Sequence, residues 1–382
     1  MKIAINATFN PWGGSLSQLN NLLRYISLDE SLTIIVYIRK KDIESVSKYC
    51  GENTKLIISK IASISIIARI IWEQTVLPFL LIKEKIDILF CPGNIAPIFS
   101  SVKTIQWIGT IGPFWEGMYN HKIGWVKRIK YPINKFFMYK SAQKSDAVIF
   151  ESDYTKKLFN YKYGIISSKS FVINIGKDKY FSPNSIYEKE NQYIIYSPFV
   201  LCVSHLYPYK NIPRMIEAFA IAKKNNIINL KLLIAGSKVS NKYYKNILDT
   251  IIETNTLDDV ILLGSISKED LRFLYSNCEF LIFPSPCENF AYTLVEAMCC
   301  GTPIICTNTT AMPETCQEAA IYFDPNNTKE MAEKIELLIC DENLRETLSR
   351  KSLERVKELP DYKEVTIKTL DIMRNLYSQS IS

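Results

Sequence analysis

The sequence predicts an α/β protein built from two doubly wound domains in tandem, and three observations support this. The chain has 382 residues, and because a domain usually spans roughly 100–200 residues, two domains are expected. Hydrophobic residues make up 47% and charged residues 22% of the chain, which is ordinary globular composition rather than the composition of a disordered chain. Apolar strand-like segments alternate with helical patterns, and this alternation starts again near residue 199.

The first domain, residues 1–182, is predicted to contain a parallel sheet with helices on both faces, because short apolar strands alternate with helical patterns. A loop with Gly13 and Gly14 leads into SLSQLNNLLRYI, whose apolar residues recur every three to four positions as in a helix. The predicted strands of this domain are residues 2–7, 32–38, 55–59, 86–91, 102–107, 146–152 and 169–175.

A second doubly wound domain is predicted over residues 199–360. The polar, proline-bounded segment 182–198 is interpreted as the linker that precedes it. The tail, residues 361–382, has the pattern of one amphipathic helix that we expect to pack back toward the first domain. The predicted strands of the second domain are residues 199–204, 231–236, 260–264, 280–285 and 302–307.

Charge is distributed unevenly. The formal net charge is +7, but residues 1–182 carry +12 and the remainder carries −5. A basic first domain suits an anionic membrane surface or a phosphorylated acceptor, whereas nucleic acid is disfavoured because no known reader motif is present. The segment 121–144 mixes Lys and Arg with aromatics and contains no acid, which indicates either a surface that lies on an anionic membrane or a solvated helix face beside the acceptor.

No targeting or membrane-spanning segment is predicted, since the most apolar region, residues 57–90, is interrupted by charged residues and Pro78. The ten cysteines form no CxxC pair and the chain has two histidines. Free thiols in a reducing cytoplasm are therefore expected, and a metal site is not. We expect a cytoplasmic or peripheral membrane protein.

Two loops that follow predicted strands carry the candidate chemistry. FVLCVSHLYPYKN (199–211) places His205 and Lys210 between a strand and a helix. A cation there can hold a diphosphate and stabilise it as it leaves, although a lysine after an ordinary turn can equally be a surface residue. In doubly wound sheets, ligands bind at the carboxyl ends of the strands, so a cleft between the two sheets is the expected site.

The second loop is more specific. In FLIFPSPCENFAYTLVEAMCCGTP (280–303), Glu288 lies on the loop and Glu296 in or near the first turn of the next helix. The N–H groups of residues 289–293 can face a phosphate, and the carboxylates can accept hydrogen bonds from sugar or ribose hydroxyls. Two alternatives remain from the spacing alone: a hydrolytic pair of carboxylates, or a helix start with stabilising acids.

The motifs together resemble retaining glycosyltransferase family 4, the glycosyl transferases group 1, whose fold is GT-B: two Rossmann-like domains facing a central cleft. The spacing of Glu288 and Glu296, with seven residues between them, matches the family. The resemblance covers nearly the whole chain and is more specific in the second domain. It is carried further by PWGGSLSQLNNLL, RIIWEQ (69–74), CPGNIAP (91–97), VINIGKDKYFSP (172–183), LKLLIAGS (230–237), Thr309–Glu314 and YFDP (322–325).

This resemblance implies roles for individual residues. Lys210 and His205 would contact the donor diphosphate, Glu288 would hold the transferred sugar, and Glu296 would bind the ribose. Gly14 would let the backbone of the first domain approach the donor phosphate. Reaction would proceed with retention and without a metal, because Lys210, His205 and the helix end supply positive charge. The amides expected to meet the phosphates and the sugar are those of Phe290, Ala291, Tyr292 and Thr293.

Two departures from the family pattern stand out. His205 occupies a position where arginine is commoner, and its charge depends on pH. The segment 105–115 contains no histidine where many relatives have one, so that side chain's role cannot be transferred to this chain.

The function that the resemblance implies is transfer of a hexose-type sugar from a UDP- or GDP-sugar to a glycan acceptor. The acceptor expected first is a lipid-linked precursor of O-antigen or capsule. The protein is then expected at the inner face of the cell membrane. A synthase or phosphorylase of soluble sugars, and a sugar-nucleotide-binding protein without transfer activity, are the alternatives.

Overall fold

The structure, a computed structural model, describes residues 1–9, 13–115, 125–165, 167–183, 191–225 and 229–381. The side chains of residues 125–130, 225 and 381 are outside this description. The contacts divide the chain into two units, one formed by Met1–Gly176 with Pro360–Ser382 and the other by Lys177–Leu359.

The first unit contains a seven-stranded sheet in the order β3-β2-β1-β4-β5-β6-β7, and every neighbouring pair is parallel. All seven predicted strands of this unit are confirmed, four of them with ends one to three residues shorter and two displaced by one residue. Buried apolar side chains occupy both faces of the central strands, as a parallel sheet covered by helices requires. The strands are β1 (Lys2–Ala7), β2 (Thr33–Ile38), β3 (Thr54–Ile58), β4 (Ile88–Cys91), β5 (Lys103–Ile108), β6 (Ala147–Phe150) and β7 (Ser170–Val172).

In the described part of the chain, six α-helices accompany this sheet. The last of them, at the C-terminal end of the chain, lies against the first, and its Met373 is completely buried in the core formed by strands β1, β2 and β4. The predicted basic segment 121–144 is only partly described, because residues 121–124 lie outside the described residues. The helices are α1 (Gly14–Ile26), α2 (Ile43–Ser47), α3 (Ile66–Lys83), α4 (Trp125–Lys144), α5 (Asp153–Tyr163) and α13 (Tyr362–Ile381).

The second unit contains a six-stranded parallel sheet in the order β10-β9-β8-β11-β12-β13. Five of its strands were predicted. The sixth, β13, was not predicted from the sequence, and Tyr322 and Phe323 of the YFDP motif pair with β12 within it. The strands are β8 (Phe199–Val203), β9 (Lys231–Ala235), β10 (Val260–Gly264), β11 (Leu281–Phe283), β12 (Ile304–Thr307) and β13 (Ala320–Phe323).

The described ranges contain seven α-helices beside this second sheet. Residues 184–190 of the predicted linker lie outside the described residues, while Gln192–Tyr196 form a short 3₁₀ helix before β8. The helices are α6 (Ile212–Asn225), α7 (Asn241–Glu253), α8 (Lys268–Asn277), α9 (Tyr292–Cys299), α10 (Met312–Cys316), α11 (Thr328–Cys340) and α12 (Glu342–Glu358).

Within the described part of the chain, no helix is both long enough and apolar enough to cross a bilayer.

Candidate functional site

The candidate site lies where the strand order of the second sheet reverses. Strands β8 and β11 are neighbours at the centre of this sheet, with β9 and β10 on one side and β12 and β13 on the other. In an open α/β sheet, this reversal separates the loops that follow the two strands and leaves a crevice at their carboxyl ends. The loop after β8 carries His205 and Lys210, and the loop after β11 carries Glu288.

Lys210 and Glu288 form an ion pair across this crevice, between the Lys210 Nζ and the Glu288 Oε1, although 78 positions separate them in the sequence. Only 13% of the Lys210 side chain and 18% of the Glu288 side chain are exposed. The ammonium also lies 5.2 Å from the ring centre of Tyr209 and 5.4 Å from that of Phe283. Aromatic faces and a carboxylate therefore hold the lysine in one place.

The Lys210 loop is anchored to the segment after β13. Asn211 adopts a left-handed conformation with φ 60°, which asparagine tolerates better than most residues. Its Nδ2 donates a hydrogen bond of 2.8 Å to the carbonyl of Pro325, and the Arg214 Nη1 donates one of 2.7 Å to the same carbonyl. The end of the YFDP motif thus positions the loop that carries Lys210.

Glu288 is held through one carboxylate oxygen. The Ser285 hydroxyl donates a 2.7 Å hydrogen bond to Oε1, the oxygen that also accepts Lys210, and the backbone N–H of Glu288 donates to Thr310 Oγ1 at 3.2 Å. Its Oε2 accepts no hydrogen bond from any of the residues that the structure describes. That oxygen can accept a hydrogen bond from a ligand hydroxyl.

Helix α9 begins at Tyr292, and its start has no side-chain cap. Ala291 is the N-cap residue, and alanine provides no oxygen for the first N–H groups. Phe290 and Ala291 are buried, and within the described ranges their backbone N–H groups donate no hydrogen bond. Tyr292 and Thr293 form the first half-turn and are partly exposed. Such a helix start is suited to an anion.

Glu296 is the fifth residue of α9, so it lies in the second turn rather than the first. The hydroxyl of Tyr275 donates a 3.1 Å hydrogen bond to its Oε2. Burial raises the pKa of Glu296 to about 7, more than the hydrogen bond from Tyr275 and the charge of Lys268 lower it. Around neutral pH this carboxyl is therefore divided between its neutral and charged forms.

His205 does not supply the positive charge expected of it. Its Nδ1 accepts a 3.3 Å hydrogen bond from the backbone N–H of Ser237, which identifies Nδ1 as an unprotonated nitrogen. Burial, and secondarily the charge of Lys210, lower the pKa of His205 below its usual value. The imidazole is therefore neutral near pH 7, and Lys210 is the charged member of the pair.

Gly14 lies in the first unit as the first residue of α1. The backbone conformation that favours glycine is found at Gly13, the residue before it. Gly13 has φ 56° and ψ −130°, and an added Cβ there would meet no atom within 4 Å. The carbonyl of Gly13 accepts hydrogen bonds from the N–H groups of Leu16 and Ser17, which starts the helix.

Four of these supporting residues were not identified from the sequence: Ser285, Tyr275, Asn211 and Thr310. Ser285 precedes Glu288 by three residues at the end of a strand, and that spacing is the one local signal among them. Tyr275 and Thr310 come from other elements. In the described part of the chain, no group of three or more His, Cys, Asp or Glu side chains is arranged to hold a metal ion.

Sequence comparison finds a family model that matches the part of the chain containing this site. Residues 187–355 match the family model of the glycosyl transferases group 1. An O-antigen chain mannosyltransferase B of Escherichia coli is 26% identical over 179 residues, which is 47% of this chain and 46% of that protein. A capsular polysaccharide biosynthesis glycosyltransferase of Staphylococcus aureus is 30% identical over 184 residues, 47% of each chain. The chain spans about half the length of the curated relatives it matches.

Comparison with solved structures covers nearly the whole chain. A sucrose-phosphate synthase of Thermosynechococcus elongatus aligns with a TM-score of 0.78 at 18% identity, over 99% of this chain and 100% of that one. An Anabaena protein solved with UDP and glucose aligns with a TM-score of 0.75 at 17% identity, over 98% and 100%. At these identities the likeness shows the fold, and it confirms the GT-B fold class that the sequence predicts.

Proposed function

We propose that this chain, whose residues 187–355 match the family model of the glycosyl transferases group 1, is a retaining hexosyltransferase that uses a UDP- or GDP-sugar donor. The ion pair between Lys210 and Glu288 at the strand-order reversal carries this proposal. It joins the two loops that the family resemblance assigns to the donor, and it lies at the sheet edge where doubly wound domains bind ligands.

Lys210 is the proposed contact to the donor diphosphate. An ammonium group has three N–H donors, and one of them is used by Glu288. The other two can reach phosphate oxygens without loss of the ion pair, so the lysine can hold sugar and diphosphate in register. The N–H groups at the start of α9, from Phe290 to Thr293, are the proposed second contact to phosphate.

The carboxylates are proposed to bind hydroxyls. Glu288 has its Oε2 available for the transferred sugar, while its Oε1 is fixed by Lys210 and Ser285. Glu296 would accept the ribose hydroxyls, with Tyr275 orienting its carboxyl group. His205 would donate from Nε2 as a neutral imidazole, and Gly14 keeps the role in donor binding that the resemblance assigns to it.

In the proposed reaction, the bond between the anomeric carbon and the diphosphate oxygen breaks. The new bond from that carbon to the acceptor oxygen forms on the same face, and the acceptor proton passes to the leaving phosphate. Lys210 and the α9 N–H groups stabilise the negative charge that develops on the leaving diphosphate. No metal is required by this proposal.

A lipid-linked O-antigen or capsule precursor is the proposed acceptor. Two observations support it: the E. coli and S. aureus relatives are named for O-antigen and capsule synthesis, and residues 1–182 carry a strong positive charge, which suits a phosphorylated or membrane-bound acceptor.

A panel of UDP- and GDP-sugars screened by ligand-observed NMR, followed by measurement of slow donor hydrolysis, tests the donor site. We expect one nucleotide sugar to bind and to be hydrolysed. Glu288→Ala and Lys210→Ala should each reduce turnover by about 10²-fold or more, because Lys210 stabilises the charge on the leaving diphosphate and Glu288 holds both Lys210 and the transferred sugar. Both variants should remain folded, with an unchanged circular dichroism spectrum.

Lys223→Ala is the matched control, since Lys223 forms an ion pair with Asp259 of similar burial away from this crevice. Its turnover should match that of the unmodified protein. Near-normal turnover in Glu288→Ala or Lys210→Ala would remove that residue from the mechanism, and donor binding without hydrolysis or transfer would favour a binding protein instead.

A further inference from the structure

Helix α3 turns charged residues toward the protein interior and exposes a second set of apolar residues, in addition to those it buries in the core, such as Trp72 and Leu77. Arg69 and Glu73 are its two charged residues before Lys83, and both are buried, with side chains 10% and 2% exposed. They pair with each other at 3.5 Å, and the Glu73 Oε1 also accepts hydrogen bonds from Asn6 and Thr8 at the end of β1. The opposite orientation, with charged residues outside, is usual for a surface helix.

The outward face of α3 is an apolar stripe with one polar residue in its middle. Ile67, Ile71, Phe79 and Ile82 are 56–66% exposed, and Thr75 is the exposed residue between the two pairs. Their spacing of three, four and eight positions keeps them on one side of the helix over about 22 Å.

The apolar surface continues beyond the helix at both ends. Ile64, just before α3, is 77% exposed, and Ile58 and Ile61 are 46% and 45% exposed. At the other end, Phe79 and Ile82 line a groove of about 600 Å³ together with Phe99, which is 79% exposed. Scattered exposed leucines or isoleucines need no explanation, but a contiguous patch of this kind marks an interaction surface.

Positive charge flanks this surface. Lys40, Lys41 and Lys60 are exposed near its first end, and Lys83 and Lys85 near its second. The backbone N–H of Lys40 lies 3.4 Å from Ser63 Oγ, beside Ile64. Between Ile58 and Ile82 the chain has a single acid, the buried Glu73. Glu84, between Lys83 and Lys85, is paired with Lys2 at 3.6 Å. In the groove, Asp146 is neutralised by Lys103 at 3.0 Å.

From this geometry we infer that the outward face of α3, extended by Ile64 and Phe99, lies in the headgroup region of an anionic membrane. Apolar side chains flanked by lysines are the composition of a helix that lies in the membrane interface. A second copy of the chain fits less well, because a two-fold contact along the stripe would place the lysines of one copy against those of the other. The inference that this surface binds a membrane follows from its geometry alone. Only its purpose, access to a lipid-linked acceptor, rests on the proposed function.

Vesicle flotation tests this inference with phosphatidylcholine vesicles that either contain or lack phosphatidylglycerol. The unmodified protein should float with the anionic vesicles and much less with the neutral ones. The double variant Ile67→Gln, Ile71→Gln should bind anionic vesicles about ten-fold or more weakly, because two apolar side chains no longer enter the interface. Its thermal stability should be unchanged, since both positions are exposed.

Ile252→Gln, Leu257→Gln is the matched control, because these residues are 60% and 63% exposed at the end of α7 and in the loop after it. This variant should float like the unmodified protein. Lys60→Gln, Lys83→Gln should lose much of the preference for anionic vesicles, whereas Lys242→Gln, Lys245→Gln should keep it.

Flotation of Ile67→Gln, Ile71→Gln like the unmodified protein would overturn the inference, as would flotation of the unmodified protein with neither kind of vesicle. Light scattering that finds a dimer dissociated by the same double variant, without vesicle binding, would assign the face to a second copy. Loss of flotation in Lys127→Gln, Lys130→Gln, with retention in the isoleucine variant, would assign binding to residues 121–144. Flotation needs neither donor nor acceptor, so flotation without any transfer activity would overturn the proposed function alone.

Discussion

At the scale of single residues, Glu296 combines a stability penalty with a proposed binding role. Burial raises its pKa from 4.5 to about 7, so folding favours its neutral form. An acid whose pKa is raised by folding does not lower the free energy of unfolding below pH 4.5, where it is neutral in both the folded and the unfolded state. Stability is lost as pH rises from about 4.5 to 7, and the whole penalty is present above pH 7.

Glu296→Gln should therefore stabilise the unliganded protein by about 1–3 kcal/mol at pH 8, because the buried charge is removed, and should have little effect at pH 4. Donor affinity should change in the opposite direction. In the proposed site, ribose hydroxyls bind the carboxylate form of Glu296. Donor affinity in the unmodified protein should therefore rise with pH up to about 7, while that of Glu296→Gln should be low and independent of pH. Thermal unfolding and donor titrations between pH 5 and 8 measure both effects.

Glu318→Gln is the control for this experiment, since the Glu318 side chain is 91% exposed, and neither stability nor affinity should change. A donor affinity that is independent of pH in the unmodified protein would show that Glu296 does not bind the ribose. Equal stability of Glu296→Gln and the unmodified protein at pH 8 would contradict the raised pKa.

The sequence predicts the positions of some site residues and leaves the contacts of others unpredicted. Lys210 and Glu288 follow strands that the sequence identifies, so their approach is a consequence of the parallel sheet. The hydrogen bonds from Ser285 to Glu288 and from Tyr275 to Glu296 depend on side-chain rotamers and on the packing of α8 against α9. The neutral state of His205 depends on its burial, which no local pattern reports.

At the scale of secondary-structure elements, the strands were predictable where an apolar run is long enough to be distinguished from its surroundings. Strand β13 has four residues, and a 3₁₀ turn, Gln317–Ala319, leads directly into it. Its pairing with β12 at the edge of the sheet makes it a strand, and pairing is not visible in a short segment. The outward apolar face of α3 was likewise not predictable, because a helix rich in isoleucine does not reveal which side is buried.

The close approach of β9 to the loop after β8 gives a prediction about Gly236. An added Cβ at this position would lie 1.9 Å from the Ser204 carbonyl oxygen, and that carbonyl belongs to the backbone that leads to His205. Gly236→Ala should destabilise the protein by about 3 kcal/mol or more, because backbone must move to relieve the overlap. It should also weaken donor binding, since the shifted loop carries Lys210.

Gly264→Ala, at the end of β10, is the matched control. Gly264 has φ 71°, but an added Cβ would meet nothing within 4 Å. Its cost should be limited to backbone strain, about 1 kcal/mol, with donor affinity unchanged. Chemical denaturation and donor titration of both variants check this, and similar stabilities of the two variants would contradict the close approach.

At the scale of the whole molecule, each unit has its own core, although the first unit is not continuous in the sequence. Helix α13, from the end of the chain, contributes Val365, Leu370, Ile372 and Met373 to the core of the first unit beside Ile3, Leu19 and Ile88. Met331 lies in the core of the second unit. Domains with separate cores respond separately to a core substitution.

Met373→Ala and Met331→Ala form a matched pair, because both side chains are fully buried, each in a different core. Each substitution should cost its own unit about 2–5 kcal/mol through lost burial and the cavity left behind. Hydrogen exchange followed by mass spectrometry should therefore show faster exchange in β1 and β4 for Met373→Ala and in β8 and β11 for Met331→Ala. Met373→Ala should retain binding of UDP or GDP, whose proposed contacts lie mainly in the second unit, whereas faster exchange in β8 and β11 of Met373→Ala would show that α13 also stabilises the second unit.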